Sequence, residues 1–183
     1  MRVAVCDYGA GNVRSVLAAF ARIGEAAAVT SDPDNVAAAV LAVLPGVGAA
    51  ATAAAALRVS GVDEALRARV TAGAATLGIC LGLQLALEWT DEDGGVPGLG
   101  LLPGRAVRLR TGRVPRMGWA LVEPLGEVFY FAHSYAAEAS DATAFSEGVV
   151  AEVRRGSFVG VQFHPEKSGA AGARYLEQCL SLA

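Results

Sequence analysis

The sequence predicts an α/β fold: an open mixed sheet with a parallel core, flanked by helices, and antiparallel additions in the C-terminal half. Three observations carry this. In the first half, short apolar runs alternate with stretches of helical period. Those runs are apolar at nearly every position, the pattern of strands covered on both faces rather than on one. Beyond Gly98 the helical period gives way to closely spaced strand-like runs with short turns.

Arg2–Cys6 reads as a buried strand, ended by the turn Asp7-Tyr8-Gly9-Ala10-Gly11. Val13, Val16, Leu17, Phe20 and Ile23 then recur at helical spacing, with Gly24 as a stop. Ala26–Thr30 is a second strand. Ser31-Asp32-Pro33-Asp34 supplies a cap and first turn for another helix. Leu41–Leu44 is a third strand, cut off by Pro45-Gly46-Val47-Gly48. Val62–Val70 is a helix whose Asp63, Glu64, Arg67 and Arg69 are expected to form a solvated face. Ala75–Ile79 is a fourth strand, followed by a helix over Leu81–Trp89 and a loop over Asp91–Gly98. Val107–Leu109, Leu121–Glu123, Val128–Phe131, Val149–Val153 and Val159–Phe163 are the later strands, and Gly172–Leu182 closes the chain as a helix. No repeat or linker divides the 183 residues, so residues 1–183 are read as one domain.

Bulk composition narrows the functional classes. Hydrophobic residues make up 54% and charged residues 18%, enough apolar surface for a packed core. The net charge is −3 and the 15 Lys and Arg are spread out, so neither nucleic acid nor an anionic membrane is an expected partner. Val36 to Leu57 is apolar but is interrupted by Pro45, Gly46 and Gly48, which a membrane span would not tolerate. With no leader pattern at the N-terminus, a cytoplasmic setting is expected. Cys6, Cys80 and Cys179 are widely separated and form no CxxC pair, so neither a disulfide framework nor a metal knuckle is indicated. Cys6 and Cys179 are expected to be buried structural thiols.

Cys80 differs in its surroundings. Gly78-Ile79-Cys80-Leu81-Gly82 joins a strand to a helix and has the form of a nucleophile elbow, a sharp turn that lifts its central residue above the sheet. At a helix start the thiolate is favoured by unpaired N–H groups, and the same groups can hold an oxyanion. Gln84 lies one helical turn further on, on the same face. His164-Pro165-Glu166 follows the strand Val159–Phe163, and in an extended chain residues 164 and 166 point the same way. An imidazole between a thiol and a carboxylate is what cysteine nucleophilic catalysis needs: the base takes the thiol proton and the carboxylate sets the tautomer. One His-x-Glu and scattered cysteines do not make a metal set, so no metal and no cofactor are expected.

The order Gly-x-Cys-x-Gly, then His-x-Glu near the end, resembles class I, triad-type glutamine amidotransferases. Asp7-Tyr8-Gly9-Ala10-Gly11-Asn12, Leu44-Pro45-Gly46-Val47-Gly48, Pro115-Arg116-Met117-Gly118-Trp119, Phe131-Ala132-His133-Ser134-Tyr135 and His164-Pro165-Glu166-Lys167-Ser168 are similar to the glutaminase subunits of imidazole glycerol phosphate synthases, in the same order along the chain. The resemblance implies hydrolysis of glutamine to glutamate and ammonia through a thioester on Cys80, with His164 and Glu166 completing a triad. It implies a (β/α)8 barrel cyclase subunit as heterodimeric partner, which would receive the ammonia and make imidazole glycerol phosphate and an aminoimidazole carboxamide ribonucleotide in histidine biosynthesis.

By the same resemblance, Val47 and Leu81 N–H groups would form the oxyanion hole, with the glycines allowing the Val47 peptide to flip. Gly46, Gly48, Gln84, Ser134 and Tyr135 would hold the substrate. Asn12, Met117, Trp119 and Lys167 would line the partner interface, and His133 is read as structural. Two positions depart from the family pattern: Ala120 stands where Asn is usual, and Ala49-Ala50 where Ala-Phe is usual. The rival readings are a glutaminase for another barrel synthase, such as that of pyridoxal phosphate, and a non-catalytic regulatory subunit.

Overall fold

A computed structural model describes residues 2–9, 13–110 and 112–182. In chain order the first half contains β1 (Val3–Cys6), α1 (Val13–Arg22), β2 (Ala27–Thr30), α2 (Pro33–Ala38), β3 (Leu41–Leu44), α3 (Ala50–Ser60), α4 (Val62–Thr71), β4 (Thr76–Ile79) and α5 (Leu81–Ala86). Short strands β5 (Trp89–Thr90) and β6 (Val96–Pro97) precede β7 (Arg105–Arg108), β8 (Arg116–Val122), β9 (Glu127–His133) and β10 (Tyr135–Glu138). The chain ends with β11 (Ala142–Ser146), β12 (Val149–Arg155), β13 (Phe158–Val161) and α6 (Gly169–Leu180).

The main sheet has seven strands in the order β11-β12-β13-β4-β3-β1-β2. From β13 to β2 neighbouring strands run parallel, while β12 and β11 are added antiparallel. β1, β3, β4 and β13 are buried at all positions, which explains their unbroken apolar runs. One face of the sheet packs α1, α6 and the inner side of the β8–β9 hairpin, through Phe20, Phe129, Phe131, Phe163 and Leu176. The other face packs α2, α3, α4 and α5, through Val36, Leu57, Leu66 and Leu83. In alanine-rich α3 the buried positions are Ala50, Ala53, Ala54 and Leu57, one stripe of a 3.6-residue helix. Small residues there bring α3 close to the sheet.

Several expectations need correction. The helix after Cys80 stops at Ala86 rather than Trp89, because Trp89–Thr90 is drawn into a second sheet, β10-β7-β5-β6. The antiparallel additions therefore do not all extend one sheet: β8 and β9 form a separate hairpin. The helix α4 is not solvated along all its charges, since Asp63 and Arg69 are buried. The Arg69 guanidinium donates to the carbonyls of Val36, Ala37, Ala39, Val40 and Ala75. It supplies donors to carbonyls at the end of α2 and at the amino ends of β3 and β4, which offsets its desolvation. Among the described residues no helix is long and apolar enough to cross a membrane.

Candidate active site

The carboxyl ends of four adjacent parallel strands, β13, β4, β3 and β1, place the key segments side by side, as ligand sites of open α/β sheets require. Cys80 leaves β4 with φ 48° and ψ −103°, in a left-handed region that a non-glycine residue seldom occupies. Its N–H donates to Val161 O on β13 at 2.6 Å and its carbonyl accepts from Gln84 N at 3.1 Å, so both neighbours hold the turn. Glycine is required around it: a Cβ on Gly82 would lie 2.0 Å from Leu44 O, and one on Gly46 would lie 2.5 Å from Ile79 O. The loop after β3 thereby lies directly against the elbow.

His164 is 2% exposed. Its Nδ1 is 2.8 Å from Glu166 Oε1, and its ring also hydrogen-bonds to the Cys80 thiol. Nδ1–H therefore donates to the carboxylate and Nε2 serves the sulfur. Burial alone would lower this imidazole, but the hydrogen bonds and charges of Cys80 and Glu166 outweigh it and raise it to about 9. The two residues are not paired along one extended strand. His164 is extended, whereas Glu166 lies in the 3-10 turn Pro165–Lys167, and its carboxylate reaches back. Proline suits the first position of that turn. The His164 N–H donates to Tyr130 O at 2.8 Å, and Ser168 Oγ donates to His164 O at 2.6 Å while accepting from Tyr130 N at 3.0 Å. The base is thus clamped to β9.

A cleft of about 310 Å³ opens over Cys80, walled by Gly46, Val47, Gly48, Leu81, Gln84, Glu92 and residues 132–135. Of the expected substrate and oxyanion residues, all seven line it. Leu81 is the first residue of α5, so its N–H is outside the intrahelical ladder. The Val47 N–H, in contrast, faces the Tyr8 hydroxyl, which itself donates to Pro45 O. Gln84 is buried, and its Nε2 donates to Tyr135 O at 2.8 Å and to Gln162 Oε1 at 3.4 Å.

Two residues at or beside the cleft escape sequence reasoning. Gln162, in the apolar run Val159–Phe163, is fully buried and its Nε2 lies 3.5 Å from Cys80 Sγ. A lone amide inside a buried strand is the signal that could have found it. Glu92, within the stretch Asp91–Gly98 read only as a loop, lies at the cleft wall; burial and the neighbouring Asp93 push its carboxyl up, partly countered by the Ala50 N–H.

Beside the cleft, one side of the β8–β9 hairpin carries Met117, Trp119 and Leu121, 65%, 58% and 48% exposed, opposite Ala132, Tyr130 and Val128. Lys167 is half-buried beside the triad turn, and Asn12 lies outside the described residues. Cys6 and Cys179 are buried and unpaired, with burial pushing both thiols up to about 12. Among the described residues no three His, Cys, Asp or Glu side chains are grouped as a metal site.

The chain is 46% identical to an imidazole glycerol phosphate synthase subunit HisH of Symbiobacterium thermophilum, over 96% of this chain and 91% of that one. It is 43% identical to the HisH subunit of Methanothermobacter thermautotrophicus, over 98% of both. In fold it is similar to the crystal structure of a glutamine amidotransferase, with a TM-score of 0.85 at 23% identity, covering 100% of this chain and 98% of that one. Residues 4–182 match the family described as Glutamine amidotransferase class-I, and the chain belongs to that family.

Proposed function

We propose that this chain is the glutaminase subunit of an imidazole glycerol phosphate synthase, hydrolysing L-glutamine and passing ammonia to a (β/α)8 barrel cyclase subunit. The observation that carries the chemistry is the run from Cys80 at the cleft wall to the buried His164 ring beside it and on to Glu166 Oε1, 2.8 Å from His164 Nδ1.

In this reading the Cys80 proton has already passed to His164 Nε2, the charged form that the site favours, and sulfur attacks the carboxamide carbon as the thiolate. The tetrahedral oxyanion is held by the Leu81 N–H and, once its peptide turns away from Tyr8, by the Val47 N–H. His164 then protonates the leaving nitrogen, ammonia departs, and a thioester remains on Cys80. Water, deprotonated by His164, attacks the thioester, and sulfur leaves as glutamate is released. Glu166 keeps the imidazole in the tautomer that both halves require. In the same cleft, Gln84, Gly46, Gly48 and the Ser134–Tyr135 backbone would hold the amino-acid moiety. Glu92 has the charge to meet its ammonium group. Met117 and Trp119, extended by Leu121 and Val128, would dock the partner beside Lys167 and Asn12. A large exposed apolar surface on a soluble fold is the kind that a partner covers.

Co-purification with the candidate cyclase tests the pairing, followed by assays of synthesis from glutamine and from ammonia. Cys80→Ala is expected to retain the complex and the ammonia-dependent reaction while losing the glutamine-dependent one. Equal loss of both would refute the division of labour. Glutamine turnover that is the same with and without the partner would refute the dependence on Val47 rearrangement.

A further inference from the structure

His133 is the second histidine of the chain, and the triad does not use it. It is 5% exposed at the end of β9, where it lines the cleft. Its Nδ1 lies 2.9 Å from Tyr135 O. A carbonyl can only accept, so the proton must sit on Nδ1. The same Tyr135 carbonyl receives Gln84 Nε2 at 2.8 Å. Both lone pairs of one carbonyl are therefore engaged, by side chains from β9 and α5. The opposite ring nitrogen, His133 Nε2, is buried and has no partner. Burial, with Arg116 and His164 nearby, lowers this imidazole to about 4 despite the Tyr135 carbonyl, so it is neutral at physiological pH.

Such an arrangement is poorly explained by core packing alone, since a buried apolar side chain would leave no orphan nitrogen. What it does is fix a peptide. The Tyr135 carbonyl cannot rotate without breaking two hydrogen bonds, and that pins the Ser134–Tyr135 segment, whose backbone forms one wall of the cleft.

We infer that His133 is a positioning residue for substrate capture: through Nδ1–H it works with Gln84 to lock the Tyr135 carbonyl and aim the Ser134–Tyr135 backbone at the amino-acid end of the substrate. This deepens the glutaminase reading and rests on it. Because the locked segment is read as holding the amino-acid moiety and supplies no group to the triad, its loss raises KM more than it lowers kcat.

The test compares three variants in complex with the cyclase partner. Asn carries an amide nitrogen at the place of Nδ1, whereas Gln carries it one methylene further out. His133→Asn is therefore expected to keep KM for glutamine within about threefold of wild type. His133→Gln and His133→Ala should raise it about tenfold, the loss of one hydrogen bond at about 1.4 kcal/mol, with kcat changed less than threefold. Ammonia-dependent synthesis should be unchanged in all three. Equal KM values for the Asn and Gln variants overturn the inference, as does a loss confined to kcat or to melting temperature. If wild type itself shows no glutamine-dependent synthesis, the function assigned to the chain fails instead.

Discussion

The two histidines offer a direct measurement of the electrostatics of the site. His164 is raised to about 9 and His133 lowered to about 4, from an ordinary value near 6.5. At about 1.4 kcal/mol per pKa unit, the preference of the fold for protonated His164 is worth about 3 kcal/mol. Glu166→Gln keeps the shape of the orienting side chain and removes its charge. Nitrogen NMR of the isolated chain should show two well-separated titrations, and the substitution should move the upper one down by more than one unit while leaving the lower one in place. Stability follows with definite signs. A raised folded pKa adds stability that is complete below about 6.5 and is lost as pH rises through about 9. The gap between wild type and the Gln variant in chemical denaturation should narrow over that interval. His133, lowered, works in the other direction: its contribution is complete above about 6.5 and is lost as pH falls through about 4. Glutamine turnover in the complex should fall about 10²–10⁴-fold in the Gln variant, the range for general acid–base catalysis. Titration of His164 near 6.5 in wild type, or an upper titration indifferent to Glu166→Gln, would refute the carboxylate as the orienting group.

Two further substitutions probe sites away from the chemistry. Trp119→Ala should weaken association with the partner by about thirtyfold or more, the loss of a central aromatic anchor worth about 2 kcal/mol, as measured by calorimetric titration. Undiminished affinity would place the interface elsewhere. Arg69→Met removes the donor to five backbone carbonyls. It should cost about 3 kcal/mol, or roughly 6–12 °C in melting temperature, without altering KM or kcat at 25 °C, because Arg69 serves the sheet edge opposite the cleft.

The parallel half of the fold is legible in the sequence because each strand is a self-contained apolar run, and its turns carry Gly, Pro or Asp. The later half is less so. Tyr135–Glu138 and Ala142–Ser146 contain few strong strand formers, and become β10 and β11 through pairing with β7 and β12. Trp89 continues a helical period in sequence but is taken by β7, a contact no local pattern reports. Arg69 has the spacing of a surface charge, and only the arrival of five carbonyls makes its burial tolerable. The same split runs through the site. Cys80, His164 and Glu166 sit in compact motifs whose glycines and proline have local reasons. Glu92 and Gln162 are brought there by the packing of loops and strands distant in sequence.

One strand links the exposed hairpin face to the chemistry. Along β9, Tyr130 and Ala132 lie opposite exposed Trp119 and Met117 on β8, and the Tyr130 ring meets Trp119 edge-on at 5.8 Å. Through the backbone the same residues face the site: Tyr130 O receives the His164 N–H, Tyr130 N–H is held by Ser168, and Ala132 O lies 3.9 Å from Cys80 Sγ. A peptide plane is stiff, so pressure on one side of β9 reaches the hydrogen bonds on the other. The Val47 N–H meanwhile lies near the Tyr8 hydroxyl, just beyond the end of β1. The β9 rim of the cleft thus runs from expected docking residues to groups the proposed reaction requires. In the proposed function the base and nucleophile are already in place, while the second oxyanion donor, Val47, would become available only through a rearrangement that docking would drive.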